Sequence, residues 1–185
     1  MGHVEPRSVG QLVEGMAAGR KYRYVFFWGH TPRRPGEVDA SCFSQWYPAE
    51  FTVDGVTYPT AEHWMMTAKA RLFGDIASAA KILAAGHPGE AKALGREVAN
   101  FDGAEWRRER FAIVVAGNVS KFRQNAELAK YLAGTGDRVL VEASPVDRIW
   151  GTGLAADDER STDPQQWLGE NLLGFALMAA RDQLD

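Results

Sequence analysis

The stretch YPTAEHWMMTAKARLFGD, residues 58–75, is a punctuated helix. Thr60 supplies a side-chain oxygen for the unpaired N–H groups of a first turn, Pro59 closes the segment before it, and Gly74 suits the left-handed residue that follows a last turn. A helix over Ala61–Phe73 is therefore predicted. At about 100° per residue, Trp64, Met65, Ala68 and Leu72 fall near Ala61 and form the apolar stripe expected to face the core. His63, Thr67, Ala70 and Arg71 fall opposite and are expected to face water or a partner. Glu62 and Lys69 project at nearly one angle, on the margin of the buried face. Two turns, about 10.5 Å along the axis, separate them, so they are not an i,i+4 ion pair, and a group of sugar size fits between their tips. On geometry alone the pair reads first as two border charges with their stems laid over apolar surface, and second as groups aimed at a ligand.

Upstream, FTVDGVTY (51–58) places Asp-Gly between two short β-formers, the strongest local hairpin signal. YRYVFFW (22–28) has the β-branched and aromatic character of a strand, and GHTPRRPGEVDAS after it reads as an exposed loop. A short helix is expected over Val9–Ala18. Downstream, helices are predicted over Ile76–Ala85, from Pro88, from about Ala104 to Phe122, and from Asn125 as an N-cap. RVLVEA (138–143) reads as a strand, and PQQWLGENLLGFALMAARDQL (164–184) as a closing helix. With no internal repeat or low-complexity tract, the pattern implies an α+β fold: a mostly helical single domain with a small β-sheet. Residues 1–21 form an extension to a domain over 22–185.

The composition, 45% hydrophobic and 24% charged over 185 residues, is that of a globular protein with a sizeable core. A formal charge of −3 argues against a nonspecific nucleic-acid binder. One cysteine, Cys42, excludes an internal disulfide, and no apolar run approaches the span of a bilayer, so a cytoplasmic location is expected. Four scattered histidines, without HExxH spacing or a Cys/His cluster, give no metal site. Phosphate-loop, dinucleotide and serine-hydrolase signatures are absent, and no cofactor is implied. EASPVDRIWGTGL (142–154) stands out instead, because a strand runs there into a loop carrying Asp147, Arg148 and Trp150. Its plain reading is a Pro145–Asp147 turn with Trp150 as a core plug. Several of the six tryptophans lie beside polar or turn residues, where stacking on a base or ribose competes with packing.

Taken in order, CFSQWYPAEFTVDGVTYPTAEHWMMTAKARLFGD, ALGREVANFD, Trp106, KFRQNAEL, LVEASPVDRIWGTGL and WLGENLLGFALMAARDQL resemble the YbiA-like (NADAR) family of N-glycosidases over roughly Tyr24–Leu184. The resemblance implies hydrolysis of a bond between ribose C1 and a nitrogenous group. Substrates would be phosphorylated ribosylamino-pyrimidine intermediates of riboflavin synthesis or, alternatively, ADP-ribose on guanine in nucleic acid. A further alternative is a non-catalytic module binding ADP-ribose-like ligands. On the family's motifs Glu62, Lys69 and Asp147 match catalytic positions and Trp106 a site tryptophan. Trp150, Gly151 and Asn171 match ligand contacts or supports, with Arg148 a phosphate candidate beside Arg71 and Arg181. Ser44-Gln45-Trp46 stands where the family carries Ser-Asn before an aromatic, so these three are substrate-binding candidates with an altered amide. The loop TPRRPGEVD is longer than in short members. The expected partner is a small phosphorylated N-riboside, favoured over nucleic acid, with no membrane and no obligate protein partner. Two routes stay open: attack of neutral Lys69 on C1 to give a Schiff base, or activation of water by Glu62 or Asp147 with Lys69 holding the substrate.

Overall fold

The computed structural model describes residues 5–184. In chain order it comprises α1 (Val9–Ala17), β1 (Tyr24–Phe27), a 3-10 turn (Ala40–Phe43), β2 (Phe51–Val53), β3 (Val56–Tyr58), α2 (Ala61–Leu72), α3 (Ile76–Ala84), α4 (Pro88–Arg96), α5 (Gly103–Gln124), α6 (Ala126–Ala133), β4 (Val139–Glu142), a second 3-10 turn (Pro164–Gln166) and α7 (Leu172–Arg181). The class is α+β and mostly helical, as predicted, with its β-structure divided into two two-stranded pairs. The chain forms two compact units, Gln45–Ala126 and the residues on either side of that segment.

In the Gln45–Ala126 unit, β2 and β3 pair antiparallel with Phe51 opposite Tyr58. Asp54 (φ 50°) and Gly55 (φ 77°) both take the left-handed conformation that a two-residue turn of this twist requires. The hairpin's aromatic face packs on α2: Phe51 and Tyr58 stack at 5.7 Å, and Trp64 meets Tyr58 edge-on at 5.2 Å. Helix α2 starts and stops as its punctuation dictates. Thr60 is extended and accepts from the His63 N–H, and Gly74 has φ 72°.

The predicted division of α2 into a core face and a water face does not hold. Glu62, His63, Thr67 and Ala70 are all buried, and of the four residues expected to face solvent only Arg71 does so. A periodicity reading assumes one covered face, whereas α2 packs against α3, α4 and α5. His63 tolerates this because both ring nitrogens are used. Nε2 donates to Ala85 O at 3.1 Å and Nδ1 accepts from the Thr60 hydroxyl at 2.8 Å, an arrangement that needs a neutral ring. Burial lowers its pKa below the usual histidine value. Where α2 crosses α5, a side chain on Gly117 would strike the Trp64 ring, whose Nε1–H donates to Ile113 O at 2.8 Å.

Asn125, predicted to cap α6, instead donates from its side chain to Glu50 O (3.0 Å) and Lys121 O (2.8 Å), closing the end of α5. In the other unit, β1 and β4 pair in parallel from Tyr24 opposite Val139 to Phe27 opposite Glu142. The strand is shorter than predicted because β4 offers only four partners, and Trp28 beyond it is exposed. The closing helix is also shorter. Asn171 adopts φ 51°, so the segment from Pro164 splits into a 3-10 turn, a loop and α7.

Candidate active site

Glu62, Lys69, Trp46, Trp106 and Gln45 belong to the Gln45–Ala126 unit; Ser44, Asp147, Arg148, Trp150, Gly151 and Asn171 belong to the other. Within the first group α2 supplies both a carboxylate and an amine. Glu62 lies in the opening turn, 3% exposed, at the positive end of the helix, where negative charge is favoured. Its backbone N–H donates to Gln45 O at 2.9 Å, which anchors the Gln45–Tyr47 segment over that end of α2. The Gln45 side chain is fixed in turn by Asn118 on α5, with Nε2 donating to Oδ1 at 3.2 Å. The amide that replaces the family's shorter one is thus held within its own unit. Trp46 is half-buried and packs edge-on against His87 at 5.6 Å, next to the start of α4.

Two turns further along α2, Lys69 is half-buried. Its ammonium donates to Gly95 O at 2.6 Å and lies 4.4 Å from the centroid of Phe101 and 5.7 Å from that of Trp106. Desolvation lowers its pKa from the ordinary lysine value, so the neutral amine comes within easier reach. The predicted partners Lys69 and Trp106 are therefore brought together, and Phe101 joins them. Sequence reasoning missed Phe101, which lies between two predicted helices in a segment read only as a motif. Its signal was an unexplained aromatic after Asn100, a residue type that tolerates the left-handed backbone found there (φ 57°).

The second group forms one tight loop. Asp147 Oδ1 accepts from the N–H groups of Ile149 and Trp150, each at 2.8 Å, which folds 147–150 into a turn. Arg148 is exposed and Trp150 half-buried. Gly151 is packed so closely that a side chain there would come within about 3 Å of Glu142 O and Asp147 O. Asn171 is fully buried: its Oδ1 accepts from Glu142 N and its Nδ2 donates to Leu140 O, both at 2.9 Å. The side chain replaces a missing strand neighbour along the free edge of β4, which makes it a support for the loop. Ser44 is half-buried and its N–H closes the first 3-10 turn on Ser41 O.

Of the three arginines considered for phosphate, Arg181 is committed elsewhere. It is buried against Glu5 (2.8 Å) and donates to the Thr135 hydroxyl. Arg71 donates to the Tyr58 hydroxyl at 2.8 Å, which leaves Arg148 the most open of the three. A cavity of about 710 Å³ between the 36–38 loop and α6 contains none of the predicted site residues. Among the described residues no group of three or more His, Cys, Asp or Glu is arranged to hold a metal ion, and no helix is long and apolar enough to cross a membrane.

A buried carboxylate and a partly desolvated amine thus stand on one helix, the amine flanked by aromatic rings. Residues 26–185 match the NADAR domain, and the chain belongs to that family. It is 42% identical over 166 residues to N-glycosidase R617 of Acanthamoeba polyphaga mimivirus, a match covering 87% of this chain and 96% of that protein. It is 33% identical over 141 residues to the riboflavin biosynthesis protein VVA0006 of Vibrio vulnificus, covering 76% of this chain and 35% of that longer protein. The solution structure of Escherichia coli YbiA superposes with a TM-score of 0.66 at 26% identity, covering 89% of this chain and 86% of that one. The chain is accordingly an enzyme of the N-glycosidase class.

Proposed function

We propose that this enzyme hydrolyses the bond between ribose C1 and the nitrogen of phosphorylated N-ribosides, with ribosylamino-pyrimidine intermediates of riboflavin synthesis as its lead substrates, through a Schiff base on Lys69. The observation that carries the reading is the environment of Lys69: an amine on a buried helix, depressed in pKa by desolvation, open toward two aromatic rings and two turns from a buried carboxylate. The riboflavin-related relative supports the choice of substrate.

In this mechanism the neutral Lys69 amine attacks C1, and the C1–N bond to the leaving group breaks as the Glu62 carboxylate takes up the proton shed by the attacking nitrogen and passes it to the departing one. The ribosyl-lysine then opens: the bond from C1 to the ring oxygen breaks, that oxygen takes a proton, and C1 becomes an iminium carbon. Water deprotonated by Glu62 adds to C1, and collapse of the carbinolamine releases ribose phosphate and returns the amine.

A mass-spectrometric screen of phosphorylated N-ribosides tests the reading, with release of free base and ribose phosphate as the signal. The wild type is expected to turn over the ribosylamino-pyrimidine, with Lys69→Ala and Glu62→Gln each slower by about 10²-fold or more. Turnover of ADP-ribosylated guanine alone would move the assignment to the nucleic-acid branch of the family. Binding without turnover of any N-riboside would refute it.

A further inference from the structure

We propose that Phe101 is a specificity residue that takes the planar, heteroaromatic leaving group of the substrate against its ring beside Lys69. The proposal rests on the assignment of Lys69 as the amine that meets C1, and it concerns a residue to which the motifs behind that assignment gave no role.

Phe101 is a large apolar side chain left 49% exposed. Its backbone is fixed on both sides: Asn100 before it turns through φ 57°, and Asp102 after it caps α5 by accepting from Ala104 N (2.7 Å) and Glu105 N (3.0 Å). The ring is held from below by Phe73, edge-on at 5.3 Å and 70°. The ring is therefore packed against one partner and open over part of its surface. The Lys69 ammonium lies 4.4 Å from its centroid, with Trp106 at 5.7 Å from the same ammonium. Two aromatic rings thus border the one amine.

Aromatic rings stack at a separation of about 3.5 Å. Because Nζ stands over the ring, a heterocycle stacks offset on the exposed part of Phe101, which sets its glycosidic nitrogen, and the C1 attached to it, beside Nζ. The arrangement favours a flat leaving group over an aliphatic one, because only the flat group replaces the solvent on the ring with a full stacking contact. Stacking tolerates the identity of the ring, so Phe101 would select for planarity and leave the pattern of ring substituents to other groups.

The experiment compares a heteroaromatic N-riboside with an aliphatic ribosylamine phosphate in the wild type and in Phe101→Leu, Phe101→Tyr and Phe101→Ala. The expected result is a KM for the heteroaromatic substrate raised roughly 5- to 50-fold in Phe101→Leu and Phe101→Ala, with kcat changed much less. The KM for the aliphatic substrate should be unmoved, and Phe101→Tyr should restore wild-type selectivity. Circular dichroism and thermal melting show that the Leu and Tyr variants are folded. If both substrates lose equally in Phe101→Leu, or if selectivity is unchanged, Phe101 is a packing residue and the proposal fails. That outcome differs from failure of the functional reading, in which the wild type itself cleaves neither substrate.

Discussion

Replacing Asn171 by alanine removes the two hydrogen bonds that close the free edge of β4. Glu142 N loses the acceptor at 2.9 Å and Leu140 O loses the donor at 2.9 Å. Leu140 and Asn171 are fully buried, so water does not replace the amide at the carbonyl without rearrangement. Each orphaned group costs about 1–3 kcal/mol, and alanine at φ 51° adds about 1 kcal/mol of backbone strain, giving a loss of about 3 kcal/mol or more. Against a typical stability of about 5–15 kcal/mol this brings the protein toward its unfolding limit. Urea denaturation followed by far-UV circular dichroism measures the change directly. Asn171→Gly, which removes the strain and keeps the lost bonds, should recover part of the deficit. The reasoning is refuted if Asn171→Ala loses less than about 1 kcal/mol of stability while its KM rises, because that pattern belongs to a ligand contact and not to a support.

Gly174→Ala should also destabilise strongly, by about 2–4 kcal/mol on thermal or urea unfolding, because the added carbon is driven into Leu140 O and the Asn171 amide. Thr60→Ala removes the acceptor for His63 N and the hydroxyl bonded to His63 Nδ1, and a loss of about 1–2 kcal/mol is expected in the same measurement. The pH dependence of Lys69 has a definite sign. Its folded pKa lies below 10.5, so the folded state binds fewer protons than the unfolded one between those two values. Across that window wild-type stability should rise with pH relative to Lys69→Met, and kcat/KM should rise with pH through the lowered pKa, as a neutral nucleophile requires. A flat difference between the two proteins in pH-dependent unfolding would contradict this.

What the sequence disclosed was set by how local each signal is. Thr60, Gly74 and the Asp54-Gly55 pair act through their own backbone neighbours, and the hairpin and the ends of α2 follow the text closely. The burial of α2 did not follow, because the neighbours that cover His63 and Thr67 come from α3, α4 and α5, and hydrophobic periodicity records only one face. Asn125 illustrates the same limit. Its amide has two uses, and the nearby carbonyls of Glu50 and Lys121 decided between them. In the site, the spacing of Glu62 and Lys69 was legible from helix geometry. Phe101 was not, since its value depends on the ammonium that α2 brings to its ring. Arg181 was legible only as a charge, and the acid that claims it, Glu5, lies at the far end of the chain.

The central claim is that Lys69 forms the covalent bond to ribose, and reductive trapping tests it most directly. Borohydride added during turnover of a phosphorylated N-riboside should leave the reduced ribose phosphate mass on the peptide containing Lys69, and on no peptide of Lys69→Ala. Continued turnover in the presence of borohydride with an unmodified Lys69 peptide would contradict the account and leave direct attack by water as the route.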